Sequence, residues 1–145
     1  MRISTKGRYG LRAMVELARH WGRGGPLEMR VITERQQIPR KYLHALLTSL
    51  RAAGLVRSLR GSHGGYTLSR APEQINVRDI VIALEGPIVL VDCNERGQPC
   101  DLYDCCATRD LWLELSQVVE RRLAAVNLAE LARSKRSPRA ARELV

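Results

Sequence analysis

Apolar residues first recur at helical spacing, with Leu11, Met14, Ala18 and Trp21 on one face of a helix that runs to about Trp21. A Gly-Arg-Gly-Gly-Pro loop at residues 22–26 ends it. A short helix over residues 27–37 follows, with Met29 and Ile32 inward, and only Gln36-Gln37-Ile38 separates it from the next. Pro39 opens that next helix, where a missing N–H costs nothing. Leu43, Leu46, Leu47 and Leu50 form its apolar stripe, and Gly54 closes it as the C′ residue. The period then drops to two. Residues 55–59 and 66–69 read as strands, joined by Arg60-Gly61-Ser62-His63-Gly64-Gly65. Two helices on a tight turn, followed by a Gly-rich hairpin, predict a winged helix-turn-helix domain over residues 1–75.

Beyond a turn carrying Pro72, helix signals return. Asn76 is an N-cap, Asp79 stands three residues on, and Ile75 with Ile80 makes a hydrophobic staple. Val77, Ile80, Val81 and Leu84 face a core, and Gly86-Pro87 ends this connecting helix within segment 76–92. All four cysteines fall in segment 93–106. A long helix over about residues 108–126 carries Leu111, Trp112, Leu115, Val118, Val119, Leu123 and Val126. So wide a stripe needs a partner. A homodimer supplies one, and it presents two reading helices to the half-sites of a pseudo-palindromic operator. Asn127 caps a last short helix over residues 128–132, so segment 107–131 holds the pairing helix and this one. Residues 132–145 form a basic mobile tail. The expected fold is therefore mainly α with a small β wing: a winged helix-turn-helix followed by a long C-terminal dimerisation helix.

Charge sharpens the functional half of this picture. The net charge is +9. Residues 1–70 hold 14 Lys/Arg against 3 Asp/Glu, residues 71–130 hold 5 against 11, and the last fifteen hold 5 against 1. The basic excess thus coincides with the reading helices and wing, as expected of a double-stranded DNA binder. On the second helix Lys41, Tyr42 and His44 are placed toward the major groove, with Thr48 and Arg51 on the same polar stripe. In the wing Arg57, Arg60, Ser62 and His63 are the candidates, and Arg60 suits a narrow minor groove. The alternative for each is a solvated polar face. Phe is absent and aromatics make up 4% of the chain, which argues against single-strand binding by base stacking. The wing glycines are not followed by the Gly-Lys-Ser/Thr of a nucleotide-binding loop. His20, His44 and His63 all lie in the basic half, and no His/Glu/Ser constellation suits catalysis, so no enzyme is expected. No apolar run spans a membrane and no signal peptide opens the chain, which places it in the cytoplasm.

Cys93-x6-Cys100-x4-Cys105-Cys106 is the second chemical signal. In a reducing compartment, clustered cysteines point to metal, cluster or redox chemistry ahead of structural disulfides. A structural zinc site pairs two Cys-x2–4-Cys knuckles, and that two-knuckle pattern is absent, since Cys100-x4-Cys105 has no second such pair; the longer Cys93-x6-Cys100 loop suits an iron–sulfur cluster. Cys106 stands at the start of the long helix, whose positive end stabilises a thiolate. Adjacent Cys105 and Cys106 diverge, which leaves three thiolates and a fourth ligand of another kind. Reduced thiols, or a reversible disulfide, are the alternative.

Several motifs carry a family resemblance. Arg2-Ile3-Ser4-Thr5-Lys6-Gly7-Arg8-Tyr9-Gly10, Tyr42-Leu43, Leu50-Arg51 with Gly54-Leu55-Val56, Arg60-Gly61 with Gly64-Gly65-Tyr66, and Glu85-Gly86 resemble the Rrf2 family of bacterial winged-helix transcription regulators. The likeness covers about residues 1–131. It implies a homodimeric regulator whose cluster-bearing and nitric-oxide-sensing branches hold a [2Fe–2S] or [4Fe–4S] cluster on three cysteines ahead of the dimerisation helix. On this chain those fall on Cys93, Cys100 and Cys106, with the register set by Trp112, and Cys105 is spare. A [2Fe–2S] cluster ranks ahead of [4Fe–4S]. Two positions depart from the branch that governs cluster biogenesis: Arg109 stands where it has a His, and His44 where it has a Glu. Arg8 stands where the nitric-oxide sensors have a carboxylate. The fourth ligand is thus open among Cys105, Asp104, Asp101, a group from a partner's first helix, and a small molecule. The implied function is transcriptional regulation in which operator binding follows the state of an iron–sulfur cluster. Thiol oxidation or a small metabolite is the alternative signal. An iron–sulfur or zinc redox or structural protein is the alternative class.

Overall fold

The computed structural model describes residues 3–61, 63–91, 100–102 and 104–134. Six α-helices and a two-stranded sheet make up those residues: α1 (Thr5–His20), α2 (Met29–Gln36), α3 (Arg40–Ala52), β1 (Val56–Leu59), β2 (Gly65–Leu68), α4 (Val77–Glu85), α5 (Arg109–Ala124) and α6 (Leu128–Arg133), with a 3₁₀ turn at Pro72–Gln74. The architecture is mainly helical with a small antiparallel wing, as the periodicity predicts. Ser62, Cys93 and the tail from residue 135 lie outside the described residues.

The core follows the apolar stripes. Leu43, Leu46, Leu47 and Leu50 of α3 are at most 1% exposed and share one buried cluster with Met14, Ile32, Ile80 and Leu128. Fully burying one such side chain stabilises by about 1.5–3 kcal/mol. The C-terminal end of α3 closes as a Schellman motif, in which the Leu55 N–H donates to the Leu50 carbonyl (3.0 Å) and the Gly54 N–H to that of Arg51 (3.0 Å). Both expected asparagine caps form. Asn76 Oδ1 accepts from Asp79 N (2.8 Å), and Asn127 Oδ1 accepts from Glu130 N (2.9 Å). The two capped helix starts are knitted together. Val77 N donates to the Val126 carbonyl (2.9 Å) and Leu128 N to the Ile75 carbonyl (2.8 Å). α6 thereby returns to the winged-helix core, where Leu128 is fully buried.

Several local expectations are corrected. The short helix begins at Met29, because Leu27 is drawn into extended pairing with Tyr66, its N–H and carbonyl bonding that residue at 2.8 and 2.9 Å. Gly65 permits this approach, since a Cβ there would collide with the Leu27 carbonyl. Pro39 is the N-cap of α3 and not its first turn. On α1 the buried face is Gly7, Gly10, Ala13, Met14, Leu17 and Ala18, whereas Trp21, expected inward, lies outside the helix and is 41% exposed. Gln37 takes the left-handed conformation (φ 51°) in the turn where a glycine is common.

Candidate nucleic-acid interface and cysteine segment

α3 and the wing present one basic face. Arg40, Lys41, His44, Thr48 and Arg51 are exposed along α3, opposite its leucine stripe. Arg57, Arg60 and His63 are exposed on the hairpin. Arg51 Nη1 donates to Ser58 Oγ of β1 (3.1 Å), which fixes wing against helix. Tyr42 differs from its neighbours. It is half-buried, with its ring edge-on to that of Tyr9 of α1 (5.9 Å, 81°), so it seats α3 as well as bordering the exposed face.

Sequence reasoning missed a polar network between α1 and α2. Glu16 is only 4% exposed and accepts from Arg35 Nη1 (2.7 Å) and Gln36 Nε2 (2.8 Å). Arg12 donates through Nε to Gln36 Oε1 (3.2 Å) and through Nη2 to the Gln36 carbonyl, and its guanidinium lies 5.4 Å from the Tyr9 ring centre. The network ties α1 to the end of α2, where the chain turns into α3. Two arginines of α1 that charge alone would assign to phosphate contact are engaged within the fold. Arg12 serves this network, and Arg19 donates to the Ala132 and Ser134 carbonyls at the end of α6 (3.2 and 3.0 Å). A glutamate on the buried side of α1 was the available signal, because a buried carboxylate requires donors.

Ahead of α5, Cys100, Cys105 and Cys106 are free thiols. Cys105 turns its thiol to the Leu102 carbonyl (3.6 Å). Cys106 Sγ lies 3.4 Å from Thr108 Oγ1 at the foot of α5. Hydrogen bonding from the Thr108 hydroxyl, and then from the Thr108 backbone N–H, holds the Cys106 thiol below its ordinary range. Thiolate chemistry at this position suits an iron–sulfur ligand. Among the described residues no three His, Cys, Asp or Glu side chains gather as a metal site, and Cys93, the first expected ligand, is outside them.

α5 itself is only partly covered. Leu111, Leu115 and Val118 are 51, 38 and 45% exposed, and Ser116 alone is buried. Ser116 Oγ accepts from Leu90 N (3.2 Å), which lays the segment after α4 along this helix. Among the described residues no helix is long and apolar enough to cross a membrane.

Comparison with known proteins agrees with this architecture. Residues 3–134 match the Rrf2 family, described as an iron-dependent transcriptional regulator. The transcriptional regulator CymR of Bacillus subtilis is 42% identical over 132 residues, which cover 91% of this chain and 90% of that one. Its solved structure, described as the global cysteine regulator, superposes with a TM-score of 0.76 at 41% identity, covering 91% of this chain and 96% of the other. The solved IscR of T. potens gives a TM-score of 0.74 at 38% identity, covering 90% and 85%. With its winged helix-turn-helix, its basic reading face and this match over nearly its whole described length, the chain belongs to the Rrf2 family of DNA-binding transcriptional regulators.

Proposed function

We propose that this regulator binds a pseudo-palindromic operator as a cytoplasmic homodimer, and that binding is controlled by an iron–sulfur cluster on Cys93, Cys100 and Cys106. The observation that carries the reading is one helix with two roles. The foot of α5 bears a thiol held toward its thiolate form, while its side bears the exposed Leu111, Leu115 and Val118. A sensor at Cys106, three residues ahead of α5, and a pairing surface on that helix belong to one device. The family description as iron-dependent, and the likeness to an IscR, support the cluster. Cys105, bonded to Leu102, is the spare thiol. A [2Fe–2S] group ranks ahead of [4Fe–4S], and it would supply a redox- and iron-responsive charge at this loop. The chain's own part would be to hold the thiolates in the segment ahead of α5 and to present Lys41, Tyr42, His44, Arg51, Arg57, Arg60, Ser62 and His63 to DNA.

Protein purified without oxygen is expected to be coloured, to contain iron and sulfide, and to lose its visible absorbance in Cys106→Ala. A mutant as coloured as wild type overturns the ligand assignment. A second reading, thiol oxidation without a cluster, is favoured by the likeness to the cysteine regulator and by the depressed Cys106 thiol. Colourless, iron-free protein whose operator affinity falls with peroxide selects it.

A further inference from the structure

Glu85 is the last residue of α4, at the negative end of its own helix, where a carboxylate is unfavourable. Its bonding explains the placement. Glu85 Oε1 accepts from Ser4 Oγ (2.6 Å), Gly7 N (2.9 Å) and Ser4 N (3.1 Å). Ser4 is the N-cap of α1, its Oγ accepting from Lys6 N (3.0 Å) and Gly7 N (3.3 Å), so Glu85 braces that cap and shares the Gly7 amide with it, and the first turn of α1 has no acidic residue of its own. The carboxylate that α1 lacks is supplied by α4, across 78 residues of chain.

The packing is built around this contact. A Cβ on Gly7 would collide with Glu85 Oε1, and one on Gly10 would collide with Leu84 Cδ1. Two glycines one turn apart thus let α1 lie against the end of α4. From Gly86 the chain runs directly into the segment that leads to the cysteines. On the other side Tyr9, two residues after Gly7, meets Tyr42 of the reading helix. The route from the cysteine segment to α3 therefore has two contacts, Glu85 on the first turn of α1 and Tyr9 on Tyr42.

We propose that Glu85 is a positioning residue that latches the first turn of α1 and carries the state of the cysteine segment to the reading helix. The transmission half rests on the sensory role proposed above, and the latch half stands on the bonding alone.

The test is a cycle of Glu85→Ala, Gly7→Ala and the double variant, with Glu85→Gln as the conservative control. Gly7→Ala raises helix propensity yet evicts the carboxylate, so a loss it shares with Glu85→Ala reports the latch and not general instability. Amide exchange over residues 4–8 is expected to quicken on the order of five- to tenfold in either single variant. The double variant should add nothing further, and Glu85→Gln, which keeps an acceptor, should stay near wild type. Unchanged exchange in the single variants, or full additivity in the double, overturns the latch. Operator affinity is then compared before and after alkylation of the cysteines with iodoacetamide. If wild type responds, the response should shrink toward none in all three latch-breaking variants, and variants that respond as wild type does overturn the transmission. A wild type that does not respond removes the sensory reading, and the transmission with it, while the exchange result still decides the latch.

Discussion

Replacing Glu16 by Leu tests whether the buried network between α1 and α2 stabilises the domain. Glu and Leu have similar helix propensity, so α1 itself is little changed. The substitution strips Gln36 Nε2 of its 2.8 Å acceptor, and Gln36 is only 4% exposed. A buried donor left without a partner costs about 1–3 kcal/mol. The Arg35 pair adds less. The Arg35 side chain is 58% exposed and regains water when Glu16 is lost, so that pair contributes at most about 1 kcal/mol. The expected loss is about 2–3 kcal/mol, read by urea unfolding at a fixed protomer concentration, since pairing would make stability depend on concentration. Adding Gln36→Leu removes the stranded donor and should return at least half of the loss, because an apolar pair leaves nothing unsatisfied. Arg12, which then loses its bond to Gln36 Oε1, is exposed and can turn to water. A loss below about 0.5 kcal/mol in Glu16→Leu, or no recovery in the double variant, refutes the reasoning.

Arg60→Ala should weaken operator binding at low salt and reduce the slope of log affinity against log salt by about 0.9, the value of one phosphate contact; an unchanged slope removes Arg60 from the interface. Leu115→Glu places a charge on the exposed side of α5 and should yield monomers in analytical ultracentrifugation at micromolar protein, whereas a persistent dimer shows that another surface pairs the chains. In metal-free protein, Thr108→Val removes the leading cause of the depressed Cys106 thiol, so the rise of its alkylation rate with pH should move to higher pH. A pH profile that stays in place in that variant assigns the shift to the helix start instead.

The reading helix, its closing glycine and the two asparagine caps were legible because each is written within a few neighbouring residues. Leu43 to Leu50 repeat at the helical period, and Asn76 and Asn127 lie three residues ahead of the amides they cap. What escaped depends on residues far apart in the chain. Leu27 reads as the start of a helix until Tyr66 pairs with it, and the wing glycines read as turn residues until Gly65 is seen to admit the Leu27 backbone. Arg12 and Arg19 carry the same charge as arginines on a DNA face, and only the fold shows that Gln36 and the end of α6 engage them. The exposed side of α5 was foreseen from its width, although the stripe divides, with Leu111, Leu115 and Val118 left open while Trp112, Val119 and Leu123 are partly covered. The cysteine motif gave a donor set, but the position of Cys93 lies outside the described residues, so the site was only half legible in either view.

The paired bonds between residues 75–77 and 126–128 give α5 a fulcrum. The chain just past its C-terminal end is pinned to the start of α4, while Cys106 lies three residues ahead of its other end. The sixteen residues of α5 make a rod about 24 Å long at 1.5 Å per residue. In the proposed homodimer with its sensor at Cys106, a displacement of about 2 Å at the thiol end would swing the rod by roughly 5°, and the bond pair would then act as a gear between chemistry at the thiol and the spacing of two DNA-reading heads.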